Sequence, residues 1–245
     1  MNQVSACASS VFTPIEEGLS PCCDRIYEIY LSALQILKNL LSACLPWAAT
    51  RAIISLFAEP WQCIKTTILY PFGCSESIQY YNLNPETPNP SKRPILLIHG
   101  SAQNQSMWIP FARYVNNQEA ELGSLYTINL PDGLVTDEDF ALVFAKIDKI
   151  REKTVHPVDI VGFSRGGYVA QNLPERDSIG KRVVLGDSIT KPFESLYEIR
   201  GKYDALVNYN IPRTVKEEHY YEHNCGHVEL PYATKVHEQI VSWLS

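Results

Sequence analysis

The most informative segment of this sequence is Val158-Asp159-Ile160-Val161-Gly162-Phe163-Ser164-Arg165-Gly166-Gly167. An apolar run leads directly into Gly-x-Ser-x-Gly, and the helix-compatible segment 168–172 follows. This order is typical of a nucleophile elbow, a sharp turn between a strand and a helix that holds a serine at its apex. The two glycines flank the serine where strand and helix crowd together and a Cβ would clash. The stretch therefore predicts that Ser164 is a nucleophile facing the N–H groups at the start of a helix.

Apolar runs alternate with helical patterns on both sides of this elbow. Further strands are predicted at 95–98, 125–128, 182–185, 196–199 and 218–221, and helices near 107–116 and 232–244. Thr136 and Asp139 form a predicted capping box that opens one more helix before the elbow. Continuous apolar strands that alternate with helices are typical of βαβ units in a parallel sheet. The sequence therefore predicts an α/β fold with a doubly wound, mostly parallel sheet.

The start of the chain has a different pattern, so we predict two parts: an N-terminal extension at 1–65 and a catalytic domain at 66–245. The polar residues 1–20 predict a poorly ordered start, and apolar residues at helical spacing from Asp24 onwards predict amphipathic helices. Pro46 and Arg51 argue against a membrane span in this region. Two interpretations of residues 24–58 stay open, namely helices that cover the core and peripheral contact with a membrane.

Composition limits the class of protein. The 245 residues are enough for one sizeable core, and the net charge of −6 argues against a nucleic-acid partner. The seven cysteines are irregularly spaced, which predicts reduced thiols rather than a disulfide framework. No standard secretory signal is recognisable at the N-terminus. We therefore expect a cytoplasmic location, with membrane association if the extension binds lipid.

Two residues that follow the elbow later in the sequence, Asp204 and His227, complete a predicted catalytic triad with Ser164. Asp204 and His227 each follow a predicted strand, in the chain order Ser, Asp, His that sheet enzymes of this type use. His227 would take the Ser164 proton, and Asp204 would fix the tautomer of the imidazole. Asp187 also follows a predicted strand and remains an alternative for the acid.

An oxyanion hole is predicted where the first apolar strand ends in His99-Gly100. Ser101 follows, and its backbone N–H would act together with the N–H of Arg165. We expect the side chain of Arg165 to point to solvent; the alternative is that it binds a carboxylate or phosphate of a substrate.

A second cluster of reactive side chains, His223, Cys225 and His227, suggests a metal site. A closed zinc site needs four ligands, and no matching cluster occurs elsewhere in the sequence. We therefore predict that the protein holds no metal.

Residues from about 94 to 245 resemble an α/β-hydrolase, and in particular the small lidless bacterial lipases and esterases. The matching pieces are Ile98-His99-Gly100, the stretch 158–164, Tyr203-Asp204 and Gly226-His227. The resemblance implies ester hydrolysis through an acyl-serine intermediate, without cofactor, and the short segment between Ser164 and Asp204 leaves no room for a cap domain. The loop Ser101-Ala102-Gln103-Asn104 departs from the family in being polar.

The predicted function is therefore that of a serine hydrolase acting on a small-molecule or lipid ester. An acyltransferase or thioesterase would use the same triad with another acceptor or substrate. A binding module without catalysis is a third alternative, because fold does not determine function.

Overall fold

The computed structural model describes residues 83–118, 121–131, 133–187, 189, 194–204, 206–207 and 214–245. The predicted N-terminal extension lies outside these residues, and so do six of the seven cysteines.

A six-stranded sheet forms the centre of the described part. Its strands are β1 (Ile95–Ile98), β2 (Leu125–Ile128), β3 (Val158–Phe163), β4 (Ile179–Leu185), β5 (Leu196–Gly201) and β6 (Tyr220–His223). Every neighbouring pair is parallel, and the strand order is β2-β1-β3-β4-β5-β6. The order reverses at β1, which leaves β1 and β3 adjacent. In open parallel sheets the crevice for a ligand lies at the carboxyl ends of strands beside such a switch point.

In the described part of the chain, four α-helices pack on the sheet: α1 (Ile109–Asn117), α2 (Asp137–Arg151), α3 (Arg165–Asn172) and α4 (Thr234–Leu244). A 3-10 turn at Gln105–Trp108 precedes α1. Pro110 lies in the first turn of α1, where the backbone needs no N–H donor. The predicted capping box opens α2, since Thr136 and Asp139 bond each other's backbone N–H groups. Thus α1 follows the segment after β1, and α3 begins directly after Ser164, the residue that follows β3.

The two faces of the sheet bury separate apolar clusters. Ile95 and Leu97 face the side that α1 and α4 cover, whereas Leu96 and Ile98 face α2 and α3. This alternation explains why the strands are apolar throughout, because both faces are covered. The predicted doubly wound α/β fold is confirmed.

Some element boundaries differ from the prediction. β4 begins at Ile179 rather than 182, because Ile179 pairs with Val158 ahead of a shift in the register of β3 and β4. At this shift the Lys181 N–H donates to Asp159 Oδ1 at 2.6 Å. The last strand is shifted to Tyr220–His223, since residues 217–219 form a 3-10 turn. None of the helices in the described ranges combines the length and apolarity that a membrane crossing requires.

Candidate active site

Ser164 occupies the turn between β3 and α3 with φ 51° and ψ −119°. This left-handed backbone is strained for a serine, and such strain persists only where the surroundings enforce it. The Ser164 N–H donates to the Leu185 carbonyl at 2.7 Å, and the Ser164 carbonyl accepts the Tyr168 N–H at 2.9 Å. Phe163 and Arg165 are buried on either side, whereas Ser164 is only half-buried. The turn thus holds its serine where a ligand can reach it.

The glycines of the elbow are required by close backbone contacts. A Cβ on Gly162 would lie 2.2 Å from the Gly166 carbonyl oxygen, and one on Gly166 would lie 2.4 Å from the Ile98 carbonyl oxygen. No side chain fits at such distances. The crowding that the sequence pattern predicts is therefore present, and it brings the start of α3 against the end of β1.

Asp204 and His227 lie in direct contact. The Nδ1 atom of His227 is 2.6 Å from Asp204 Oδ2, and the two side chains are 6% and 0% exposed. The other oxygen, Oδ1, accepts the N–H groups of Leu206 at 2.8 Å and Val207 at 3.0 Å. The carboxylate is thus held by backbone donors on one side and faces the imidazole with the other.

Backbone hydrogen bonds between two loops create this contact. The Lys202 N–H donates to the His223 carbonyl at 2.8 Å, and the Tyr203 N–H donates to the Cys225 carbonyl at 3.0 Å. These bonds continue the β5–β6 pairing beyond the ends of the strands. The loop that carries Asp204 therefore runs beside the loop that carries His227.

The imidazole of His227 lies near the elbow. Its ring centroid is 4.9 Å from that of Phe163, the residue before Ser164. A Cβ on Gly186, the residue after β4, would lie 3.0 Å from His227 Cε1. Both neighbours border Ser164, since Ser164 follows Phe163 and bonds the carbonyl of Leu185. His227 and Asp204 therefore lie in contact at the carboxyl end of the sheet, and the His227 ring packs against residues that neighbour Ser164.

Asp187, the alternative acid, is engaged elsewhere. Its Oδ2 accepts a hydrogen bond from Gln171 Nε2 at 2.6 Å, which ties the end of β4 to α3. The geometry thus favours Asp204 as the carboxylate that orients His227.

The loop after β1 is oriented by the buried residue His99, which is 1% exposed. His99 Nε2 accepts the Leu130 N–H at 2.9 Å, and His99 Nδ1 lies 2.7 Å from the Gly100 carbonyl oxygen. Because a backbone N–H can only donate, these partners assign the ring proton to Nδ1, which donates to Gly100. The Gly100 carbonyl and the Ser101 N–H belong to one peptide plane. His99 thereby sets the direction of the N–H that the sequence predicts as an oxyanion donor, a role that the strand-end pattern did not reveal.

The polar residues of this loop are anchored to β2 and to each other. Asn104 accepts the Ser106 N–H at 3.1 Å and the Ser106 hydroxyl at 2.6 Å, which caps the 3-10 turn. Gln105 Oε1 accepts the Thr127 hydroxyl at 2.6 Å, and the Gln105 N–H donates to Asn129 at 2.8 Å. Of the residues 101–104 that depart from the family, Asn104 thus caps the 3-10 turn, and the neighbouring Gln105 fastens that turn to β2 and to Asn129.

The side chain of Arg165 contradicts the prediction that it points to solvent. It is 5% exposed, and its Nη2 atom lies 2.7 Å and 2.8 Å from the two carboxylate oxygens of Asp139. The Nη1 atom donates to the Pro131 carbonyl. The sequence did not show this pairing because Asp139 lies 26 positions away and already has a role as a capping residue.

The suggested metal cluster does not form a ligand group. Across the part of the chain that the structure describes, no three His, Cys, Asp or Glu side chains are arranged to hold a metal ion. His223 Nδ1 lies 3.2 Å from the Tyr221 hydroxyl, and the Cys225 side chain belongs to the apolar core. His227 is turned to Asp204 instead.

In its parallel sheet, its strained serine turn and its Asp–His pair, the described part of the chain resembles an α/β hydrolase. The sequence matches no family model and no curated protein. The structure is similar to the lipase BlEst2 of Bacillus licheniformis, at 23% identity over 41% of this chain with a TM-score of 0.35. This chain spans 23% of that lipase in its propeptide form and 43% in its mature form.

Two further solved structures are similar over more of their length. One is a serine hydrolase without a lid from Xanthomonas campestris, at 13% identity, covering 66% of this chain and 86% of that one, with a TM-score of 0.47. The other is a carboxylesterase of Bacillus cereus, at 14% identity, covering 66% and 94%, with a TM-score of 0.45.

Proposed function

We propose that the protein is a serine hydrolase that cleaves carboxylic esters through an acyl-serine intermediate. The observation that carries this proposal is the buried contact of 2.6 Å between Asp204 and His227 at the end of the sheet where the elbow presents Ser164. A histidine whose Nδ1 is held by a carboxylate keeps its Nε2 free of a proton and can act as a general base.

In the proposed reaction, His227 Nε2 takes the proton of the Ser164 hydroxyl while Oγ attacks the ester carbonyl. Asp204 stabilises the imidazolium that forms. The carbonyl oxygen becomes an oxyanion, which the backbone N–H groups of Ser101 and Arg165 stabilise. The tetrahedral intermediate expels the alcohol, which takes the proton from His227. Water then repeats the sequence at the acyl-serine and releases the carboxylic acid.

The test is turnover of chromogenic esters with acyl chains from short to long, by the wild type and by Ser164→Ala. A matched control is Ser178→Ala, since Ser178 precedes β4 at the opposite end of the sheet. We expect the control to turn over esters like the wild type and Ser164→Ala to lose several powers of ten in kcat. Turnover that survives in Ser164→Ala would exclude the serine mechanism.

The same assay, repeated with added alcohols and thiols, measures how the acyl group divides between water and another acceptor. Hydrolysis that remains the main outcome supports a hydrolase. Preferential transfer to an acceptor would instead make the protein an acyltransferase with the same nucleophile.

A further inference from the structure

The guanidinium of Arg165 is enclosed although its residue borders the reactive serine. Its two terminal nitrogens contact Asp139 and the Pro131 carbonyl, and 5% of the side chain is exposed. The terminal nitrogens are engaged, and the Nε–H is buried without a hydrogen-bond partner among the described residues, so the guanidinium is not placed to receive an anionic group of a substrate. A different role has to explain why a cation lies here.

The partners of Arg165 are themselves fixed. Asp139 Oδ2 also accepts the Thr136 N–H at 2.9 Å within the capping box of α2. Pro131 lies shortly after β2. The side chain of Arg165 thus ties the first residue of α3 to the start of α2 and to the segment after β2. We call these contacts of Arg165 with Asp139 and the Pro131 carbonyl the Arg165 clamp.

This arrangement is costly as a device for stability alone. Arg165 is the first residue of α3, where the helix dipole disfavours a positive charge. Burying a charge pair costs desolvation that apolar side chains of similar size avoid. The cost is explained if the clamp fixes the backbone beside Ser164 more accurately than apolar packing would.

We propose that the Arg165 clamp is a positioning device for the oxyanion hole: it holds the backbone N–H of Arg165 in place beside Ser164. This rests on the proposed function, in which that N–H stabilises the oxyanion. The preceding residue has strained dihedral angles, φ 51° and ψ −119°, and relaxation of the turn would rotate the peptide that carries the N–H. A side chain fastened at two points opposes that rotation.

The experiment compares Arg165→Met and Arg165→Lys with the control Arg93→Met. Arg93 contacts Asp159 at 3.2 Å, and the Asp159 side chain is 1% exposed, as is that of Asp139. The control therefore also leaves a buried carboxylate without its guanidinium, but at the amino end of β3, far from the elbow. For each variant kcat, KM and inhibition by an alkyl trifluoromethyl ketone, which forms an oxyanion adduct with a serine, are measured.

We expect Arg165→Met to lower kcat by about ten- to a hundredfold, less than the roughly 10²–10³-fold loss that follows removal of an oxyanion donor. KM should change by less than about threefold, and the ketone should bind more weakly in proportion to kcat. Arg165→Lys should retain an intermediate kcat, because one charged contact with Asp139 survives. Arg93→Met should keep the wild-type kcat even if it unfolds more readily.

If Arg165→Met does not fold, Asp139→Asn takes its place, since an amide oxygen can still accept the Thr136 N–H. It should lower kcat several-fold with little change in KM. Wild-type kcat in these variants, or a rise in KM alone, would overturn the positioning role. Failure of the proposed function gives a different result: either the wild type shows no ester turnover, or Ser164→Ala retains the turnover of the wild type. In that case the positioning role of the Arg165 clamp is excluded as well.

Discussion

Replacing Asp204 by asparagine should disable the site without disturbing its shape. Oδ1 of Asp204 accepts two backbone N–H groups, from Leu206 and Val207, so the amide oxygen of an asparagine must take that position. The amide NH₂ then faces Nδ1 of His227, where Oδ2 now lies at 2.6 Å. An NH₂ donor requires an unprotonated Nδ1, which moves the ring proton to Nε2. In this tautomer His227 has no free nitrogen for the Ser164 proton.

The size of the effect follows from the cost of restoring the active tautomer. It would set an N–H of His227 against an N–H of the amide in a buried contact, and each unsatisfied buried donor costs about 1–3 kcal/mol. Two such donors make about 2–6 kcal/mol, which corresponds to about thirtyfold to 3 × 10⁴-fold in rate. The loss of the negative charge beside the imidazolium adds to this. The same substitution in the serine proteases lowers kcat by about 10⁴-fold.

The assay is ester turnover by Asp204→Asn, with Asp187→Asn as the matched control. Asp187 accepts its hydrogen bond from Gln171, and an asparagine can still accept it through its oxygen. The control should therefore stay within about threefold of wild-type kcat, and circular dichroism should show both variants folded. The opposite ranking, with Asp187→Asn inactive and Asp204→Asn active, would refute the assignment of the acid.

Two further predictions concern stability and are checked by urea unfolding. Burial raises the pKa of Asp159 from 3.8 to about 6 despite the nearby Arg93. The native state therefore keeps the Asp159 proton to a higher pH than the unfolded chain does. The free energy of unfolding thus falls as the pH rises from about 4 to about 6. Asp159→Asn should therefore raise the free energy of unfolding by about 3 kcal/mol near pH 8 and by less than about 1 kcal/mol near pH 4, whereas an equal gain at both would contradict this cause. Gly166→Ala should cost about 3 kcal/mol or more, because its Cβ would lie 2.4 Å from the Ile98 carbonyl oxygen. Gly167→Ala should cost less, since its nearest contact is a side-chain atom at 3.1 Å; equal costs would argue against the backbone clash.

The parts of the fold that the sequence predicts are those that local pattern determines. Buried parallel strands are continuous apolar runs, and the elbow occupies ten contiguous residues. The start of β4 was missed where charged residues interrupt the apolar run. The predicted strand at 196–199 stops two residues short of the end of β5, where Arg200 is buried and bonded to Glu198 at 2.6 Å.

The parts of the site that the sequence left open depend on contacts between distant segments. Asp204 and Asp187 both follow strands, and what separates them is the backbone pairing of the Lys202 and Tyr203 loop with the loop after β6. The partner of Arg165 could not be inferred either, because Asp139 is already explained by its capping role. Sequence pattern shows which residues reach the end of the sheet, whereas their pairing requires the packed loops.

Whether Ser164 is the nucleophile is shown by the position of the adduct that a fluorophosphonate forms. The full-length protein is incubated with the probe, its intact mass is measured, and the labelled residue is identified by peptide mass spectrometry, with Ser164→Ala treated in parallel. We predict one adduct, on Ser164, in the wild type and none in the variant. Labelling of another residue such as Cys225 or Ser101, or labelling that persists in Ser164→Ala, would show that Ser164 is not the nucleophile.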